Sequence, residues 1–339
     1  MNPNPAPCWF QVRQLLLMSI AFAGTIQGQQ SLTVPPSHHD TQEVILDTDI
    51  GDDIDDIFAL GILLASPEIH LRGITSAWGD TALRSRMIDR VLCETGREDV
   101  PVFTGVATQR EDAAAFSQAP WARAGVDRKH EDAVAFLLDQ ARSHPGEITL
   151  IAIAPLTNLG AAIDRDPEAF RKLKRVVLMG GSIDRGYGPA GTKPSAEYNI
   201  KMDVSAAQKL IHSRVPIFMM PLDSTQVYFD ETQRAALASI STPLTDSIEV
   251  LTAEWSSITR QTTPTLFDPV AVAYAIDPRT CPVTPKHIEL DEQGYTRVTS
   301  GSPNAQVCIE EKPKAFFSLV MPRLMGQKLS GSKVCIERR

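Results

Sequence analysis

Six aspartates crowd into ten residues, Asp47-Thr48-Asp49-Ile50-Gly51-Asp52-Asp53-Ile54-Asp55-Asp56, directly behind the apolar run Val44-Ile45-Leu46. Like charges packed this closely repel one another unless a cation or a ligand holds them. An apolar β-type run that ends in acids aims them at the edge of a sheet, where open α/β folds bind their ligands. Oxygen donors without His or Cys suit Ca²⁺ or Mg²⁺ better than zinc. The milder alternative is a solvated acidic turn at the start of a helix, a position that favours Asp. An EF-hand loop beginning at Asp47 would need Gly at its sixth position and Glu at its twelfth. Asp52 and Phe58 stand there, so that motif is excluded.

Further β-type runs follow at Leu71–Thr75, Pro101–Phe103, Ile148–Ile153, Arg175–Met179 and Pro216–Met220. Between them lie stretches of helical spacing, the first carrying Ile57, Leu60, Leu63 and Leu64. This alternation predicts a single α/β domain: a largely parallel, Rossmann-like sheet with helices on both faces and the active site at the strand carboxyl ends. A helix is expected at about 130–142, a long loop at 105–128 and an irregular Gly-, Pro- and Ser-rich segment at 181–198. Residues 286–311 read as β-strands closed by a final helix. Asp80, Glu197, Asn199 and Asp223 also fall just after strand-like runs, at or near the expected ligand-binding edge.

The 339 residues include 33 Lys and Arg against 41 Asp and Glu, a net charge of −8. No Lys/Arg-rich stretch follows the N-terminus, which argues against nucleic acid as a partner. Leu15–Ala23 is an apolar run behind Arg13, too short to cross a bilayer but suited to a secretory signal. The expected organisation is a signal peptide at 1–28, a linker at 29–41 that contains Pro35-Pro36, and one domain at 42–339. The mature protein is then exported, periplasmic or secreted, with no membrane attachment; a non-functional leader would leave it in the cytoplasm. Cys93, Cys281, Cys308 and Cys335 remain after the leader, with no CxxC pair to suggest zinc or a redox dithiol. Export permits a disulfide, and the last three lie close enough in sequence to form one; buried thiols are the alternative.

The motif blocks resemble those of the inosine–uridine-preferring nucleoside hydrolase family. They are Asp47-Thr48-Asp49-Ile50-Gly51 with Asp55-Asp56 and Ala59-Leu60; Ala154-Pro155-Leu156-Thr157-Asn158; Val176-Val177-Leu178-Met179-Gly180-Gly181; Ala196-Glu197-Tyr198-Asn199; and Phe267-Asp268-Pro269 before Ala271-Val272-Ala273-Tyr274. The blocks keep the family's order, and the resemblance covers about residues 42–327. It implies a calcium-dependent hydrolase of the N-glycosidic bond of ribonucleosides, acting on a small nucleoside substrate and assembled as a homo-oligomer. It also implies Ca²⁺ ligands at Asp49, Asp56, the carbonyl of Ile153 and Asp268, with Asp49 doubling as the base. Asp55, Glu197 and Asn199 would hold the ribose, and Met179 would pack under it. Haloacid-dehalogenase-like phosphatases also place DxD after an apolar strand, but Gly51 stands where they usually carry Thr or Val.

Three departures from the family pattern bear on this assignment. Two extra residues separate Gly51 from Asp55-Asp56, which leaves Asp53 as an alternative ligand. Asp80 stands after Trp78-Gly79 where the family often has Asn, adding an acid near the sugar. Phe267 occupies the position of the His that serves purine-preferring members as leaving-group acid, and phenylalanine has no proton to give. It reads as a wall for the aglycone, with Trp255, Arg260 and Tyr228 as other residues near the base. A protein that kept the sugar site but not leaving-group activation would be a nucleoside or sugar binder, the non-enzymatic alternative.

Overall fold

The apolar run behind the aspartates forms the middle of a sheet in the computed structural model, which describes residues 41–109, 116–329 and 335–336. The expected leader and nearly all of the expected linker lie outside the described residues. Ten strands pair: β1 (Gln42–Thr48), β2 (Ile69–Ser76), β3 (Val102–Thr104), β4 (Glu131–Asp132), β5 (Thr149–Ala152), β6 (Arg175–Met179), β7 (Ile217–Met220), β8 (Val283–Leu290), β9 (Thr296–Thr299) and β10 (Ala305–Cys308). Their order across the sheet is β4-β3-β2-β1-β5-β6-β7-β10-β8-β9. Every pair from β4 to β10 is parallel, and only β10–β8 and β8–β9 run antiparallel. The chain therefore forms the expected α/β domain with a largely parallel, Rossmann-like sheet.

Both faces of this sheet are covered, so its inner strands are apolar throughout rather than alternating. Val44, Ile45, Leu46, Leu150, Ile151, Val176, Val177 and Leu178 have no exposed surface. Two apolar cores result. One gathers α1 (Asp55–Leu64) with the helices Pro243–Thr259, Asp268–Ile276 and Pro313–Gly326. The other lies under the helices Ala133–Ser143, Thr157–Arg165 and Val204–His212. All residues of α1 are buried, because it packs against β2 on one side and three helices on others.

From β1 the chain builds outward through β2, β3 and β4, then returns to lay β5, β6 and β7 on β1's other side. The order reverses between β1 and β5, and the loops leaving these two strands part in opposite directions. A crevice opens there, at the carboxyl ends. The Ile153 N–H donates to the Asp47 carbonyl at 2.9 Å, extending the β1–β5 pairing to its rim.

Three sequence expectations shift. The long loop expected at 105–128 carries the short helix Ala119–Ala124. Residues 131–132 form the edge strand β4 rather than the start of a helix, and Asp132 caps the helix that follows by accepting from the Ala135 N–H. A two-residue strand is too short to leave a periodicity. Of the three late cysteines, Cys281 and Cys308 are disulfide-bonded, whereas Cys335 pairs with Cys93 across a separation of 242 residues. Sequence proximity does not reveal a partner that the fold brings in. No helix among the described residues is long and apolar enough to cross a membrane.

Candidate active site

The crevice at the β1–β5 switch holds a cavity of about 440 Å³, the size of a small-molecule site. Its lining combines acids, Asp49, Asp52, Asp53, Asp55, Asp56, Asp268 and Glu197, with the aromatic rings of Trp255, Phe267, Tyr187 and Tyr198. Asn199, Met179, Ile153, Thr259 and Gln261 complete it. Sugar-like hydroxyls suit the acids and a flat ring suits the aromatic side chains. The topology thus brings together blocks more than 200 residues apart.

Asp55 and Asp56 open α1, and Asp268 opens the helix Asp268–Ile276, so two positive helix ends face the acids and offset part of their repulsion. An Asp55 carboxylate oxygen accepts from the Asp268 N–H at 2.9 Å. Asp56 accepts from the Thr48 hydroxyl at the end of β1. Oxygens of Asp55, Asp56 and Asp268 lie within 4.8 Å of one another, and all three residues are buried. Burial, then repulsion from neighbouring acids that include Asp49, pushes all three well above the usual carboxylate range. Burial likewise pushes Asp49 up to about 7; Arg84 opposes this, and Asp52 and Asp47 add to it. Asp47, wholly buried, is pushed up to about 6 by burial although Thr75 and Asn158 donate to it.

Such a group of buried hard oxygens fits a divalent cation of the Ca²⁺ or Mg²⁺ class, which would replace repulsion by shared attraction. The trio that converges most closely differs from the expected ligand set. Asp55 joins Asp56 and Asp268, while Asp49 stands beside them and is the acid that most strongly raises Asp56. Asp53, the alternative ligand, lies outside the trio: it accepts from the Ile54 N–H at 2.7 Å and from Trp255.

Also lining the cavity, Glu197 is buried and has four donors. Its oxygens accept from the N–H groups of Gly181 (3.0 Å), Asn199 (2.9 Å) and Ile200 (3.1 Å) and from the Tyr187 hydroxyl (3.3 Å). It caps the helix Tyr198–Met202. Burial pushes its carboxyl up, and these donors pull it back. The Asn199 amide donates to the Met179 carbonyl at 3.1 Å, fixing the end of β6 beneath the cavity. Phe267 is half-buried in the cavity lining, its ring edge-on to Tyr187 at 6.0 Å.

Asp80 does not join the site. Its carboxylate caps α2 (Thr81–Glu94) by accepting from the Leu83 N–H at 3.0 Å, and the residue is exposed. A short polar residue before a helix serves the helix first. Tyr228 and Arg260 are also absent from the cavity lining, and only Trp255 of the three aglycone candidates reaches it.

Motif reading overlooked Arg84. Its side chain is fully buried and donates to the carbonyls of Trp78 (2.8 Å), Asp49 and Ile50 (2.8 Å) and to Asp52 Oδ2 (2.7 Å). It thereby holds the acidic loop by its backbone and places a cation among the acids. A signal was present: Arg84 shares the buried stripe of α2 with Met87, Ile88 and Val91, a cation where helical spacing calls for an apolar residue.

Known proteins resemble the chain along most of this architecture. The structure is similar to that of a plant nucleoside hydrolase, PpNRh1, with a TM-score of 0.74 and 25% identity over 84% of this chain and 99% of the other. A purine-preferring ribonucleoside hydrolase from Gardnerella vaginalis shares the fold, with a TM-score of 0.71 and 24% identity over 84% of this chain and 98% of the other. In sequence, the pyrimidine-specific ribonucleoside hydrolase RihA of Citrobacter koseri is 28% identical over 315 residues, 83% of this chain and 97% of RihA. An uncharacterized protein of Schizosaccharomyces pombe is 35% identical over 207 residues, 57% of this chain and 65% of that protein. Residues 44–318 match the family model for inosine-uridine preferring nucleoside hydrolase, and with the acid-and-aromatic crevice in place, the chain belongs to that family.

Proposed function

We propose that this hydrolase cleaves the N-glycosidic bond of ribonucleosides with one bound Ca²⁺, held by the carboxylates of Asp49, Asp56 and Asp268 and the carbonyl of Ile153. Asp56 and Asp268 belong to the converging trio, and its third member, Asp55, is left to the sugar. The observation that carries the reading is one cavity lined by both buried acids and aromatic rings. When bound, the cation supplies a fixed positive charge that orients sugar hydroxyls and eases ionisation of a water. Asp49 would be the base toward the attacking water. Positive charge develops on the sugar ring as the C1′–N bond breaks, and the anionic wall stabilises it. Asp55, Glu197 and Asn199 hold the ribose hydroxyls, and Met179 packs beneath the ring.

The aglycone half favours a leaving group that needs little protonation. Phe267 has no proton to donate, and the Trp255 indole is engaged with Asp53. Similarity to RihA, a pyrimidine-specific enzyme by name, supports a pyrimidine preference. A reducing-sugar assay over uridine, cytidine, inosine and p-nitrophenyl riboside, with and without chelator, tests the whole reading. Uridine and the nitrophenyl riboside are expected to be cleaved well, inosine weakly, and none after chelation. Efficient inosine cleavage would show that another residue activates the base. Binding without release of sugar from any of them would favour a nucleoside-binding protein.

We also propose that the protein is exported, which the two disulfides support, since such bonds persist in oxidising compartments. Fractionation of the native host decides it, with enzyme in the cytoplasm as the contrary result. Assembly as a homo-oligomer is proposed on the family resemblance, and sedimentation of the purified protein tests it.

A further inference from the structure

The segment between β6 and Glu197 is irregular, yet it is held more firmly than an exposed loop requires. Asp223, buried after β7, accepts from three successive N–H groups: Ile183 at 2.9 Å, Asp184 at 2.7 Å and Arg185 at 3.1 Å. Gln226, also buried, accepts from the Gly188 N–H at 2.8 Å and donates to the Gly186 carbonyl at 3.1 Å. One side-chain amide therefore grips the chain on both sides of Tyr187. The Arg185 guanidinium closes the same turn by donating to the Gly188 carbonyl at 2.8 Å. Both flanking glycines are needed: a Cβ on Gly186 would lie 2.2 Å from the Lys193 carbonyl, and Gly188 has φ +121°.

This scaffold presents one side chain to the cavity. The Tyr187 ring lines it beside Phe267, and its hydroxyl donates to Glu197 while accepting from the Tyr198 N–H at 3.0 Å. Tyr187 remains 43% exposed, so its burial does not explain the anchoring. Its hydroxyl sits on the acid assigned to the sugar, and its ring meets the wall assigned to the aglycone. Burial pushes the phenol up, so it stays protonated and acts as a donor.

We propose that Tyr187 is a sugar-binding residue that aligns the Glu197 carboxylate and covers the exposed face of the ribose, with Asp223 and Gln226 as positioning residues that act through it. The inference rests on the assignment of Glu197 to the sugar. Removing one hydrogen bond to a charged group typically costs a site about tenfold or more in affinity. Tyr187→Phe is therefore expected to raise KM about tenfold for both uridine and p-nitrophenyl riboside, with kcat changed less than about threefold. An effect shared by two aglycones on one sugar marks a sugar contact. Gln226→Met, outside the cavity, should raise KM similarly in the parent but add nothing in a Tyr187→Ala background, because the two act in series.

Calorimetric binding of free ribose gives a readout independent of turnover, and its affinity should fall by the same factor in Tyr187→Phe. If the parent binds ribose but cleaves no nucleoside, the proposed reaction fails while the ribose titration still tests Tyr187. An unchanged KM and ribose affinity in Tyr187→Phe would overturn the inference, as would a shift confined to one aglycone. So would a Gln226→Met effect that persists undiminished without Tyr187.

Discussion

Asp49 meets two demands that pull in opposite directions. Catalysis calls for an ionised carboxylate, whereas burial among other acids pushes its pKa up to about 7. The metal-free folded protein therefore holds this proton more tightly than the unfolded chain does. The associated stability is fully present below about pH 4, where both states are protonated, and is lost as pH rises through about 7. Asp49→Asn removes the ionisation, so the chelated variant should withstand urea better than the chelated parent at pH 8, and the gain should vanish at pH 4. In the presence of Ca²⁺ the same variant should lose on the order of 10³-fold or more in turnover. Near-normal turnover would remove Asp49 from the mechanism, and unchanged urea resistance would remove the electrostatic cost.

The acidic loop between β1 and α1 shows how neighbouring elements fix one short segment. Arg84 holds it from α2, while the Ser117 hydroxyl donates to the Gly51 and Asp52 carbonyls and the Gln118 N–H donates to Gly51. Gly51 has φ +123°, and a Cβ there would lie 2.5 Å from the Phe116 ring. Gly51→Ala should therefore destabilise the fold by about 2–4 kcal/mol, through backbone strain and the clash together. In a Phe116→Ala background the ring clash disappears, leaving the strain and a close Met87 Sδ contact at 3.3 Å, so the added cost of Gly51→Ala should fall by at least about 1 kcal/mol. Chemical denaturation of the four proteins measures this cycle. Equal costs in both backgrounds would show that Phe116 does not confine the loop.

Across the whole molecule, the buried acids link metal, pH and stability. With chelator present, the melting temperature should fall between about pH 4 and 8, as Asp47 passes about 6 and Asp49 about 7. Added Ca²⁺ should stabilise most at the upper end of that range, by about 2.7 kcal/mol at a hundredfold excess over Kd. A melting temperature indifferent to Ca²⁺ at pH 8 would count against a cation at this site. The Cys281–Cys308 bond closes a short loop between the end of the helix Asp268–Ile276 and β10. Replacing both cysteines with Ser should cost about 3.5 kcal/mol by the loop-entropy estimate, visible as a lower urea midpoint.

What the sequence determined by itself is local: Val44–Leu46 ending in aspartates, Arg175–Met179 ending in Gly180-Gly181, and Asp268-Pro269 opening a helix. Each is a short pattern whose periodicity or terminal chemistry survives without its neighbours, and alternation of such patterns suffices for a parallel α/β sheet. Most of the expected site residues meet in one cavity for the same reason, because they end strands or begin helices at one edge of the sheet. Tertiary structure decided the rest. Asp80 and Glu197 both cap helices, but only Glu197 faces the crevice, a difference that depends on where each helix is laid. Arg84, Gln226 and the Cys93–Cys335 pair act on residues distant in sequence, and no local pattern specifies a partner 35, 40 or 242 residues away. Their roles follow from packing, which brings together side chains whose only common feature is the space they share.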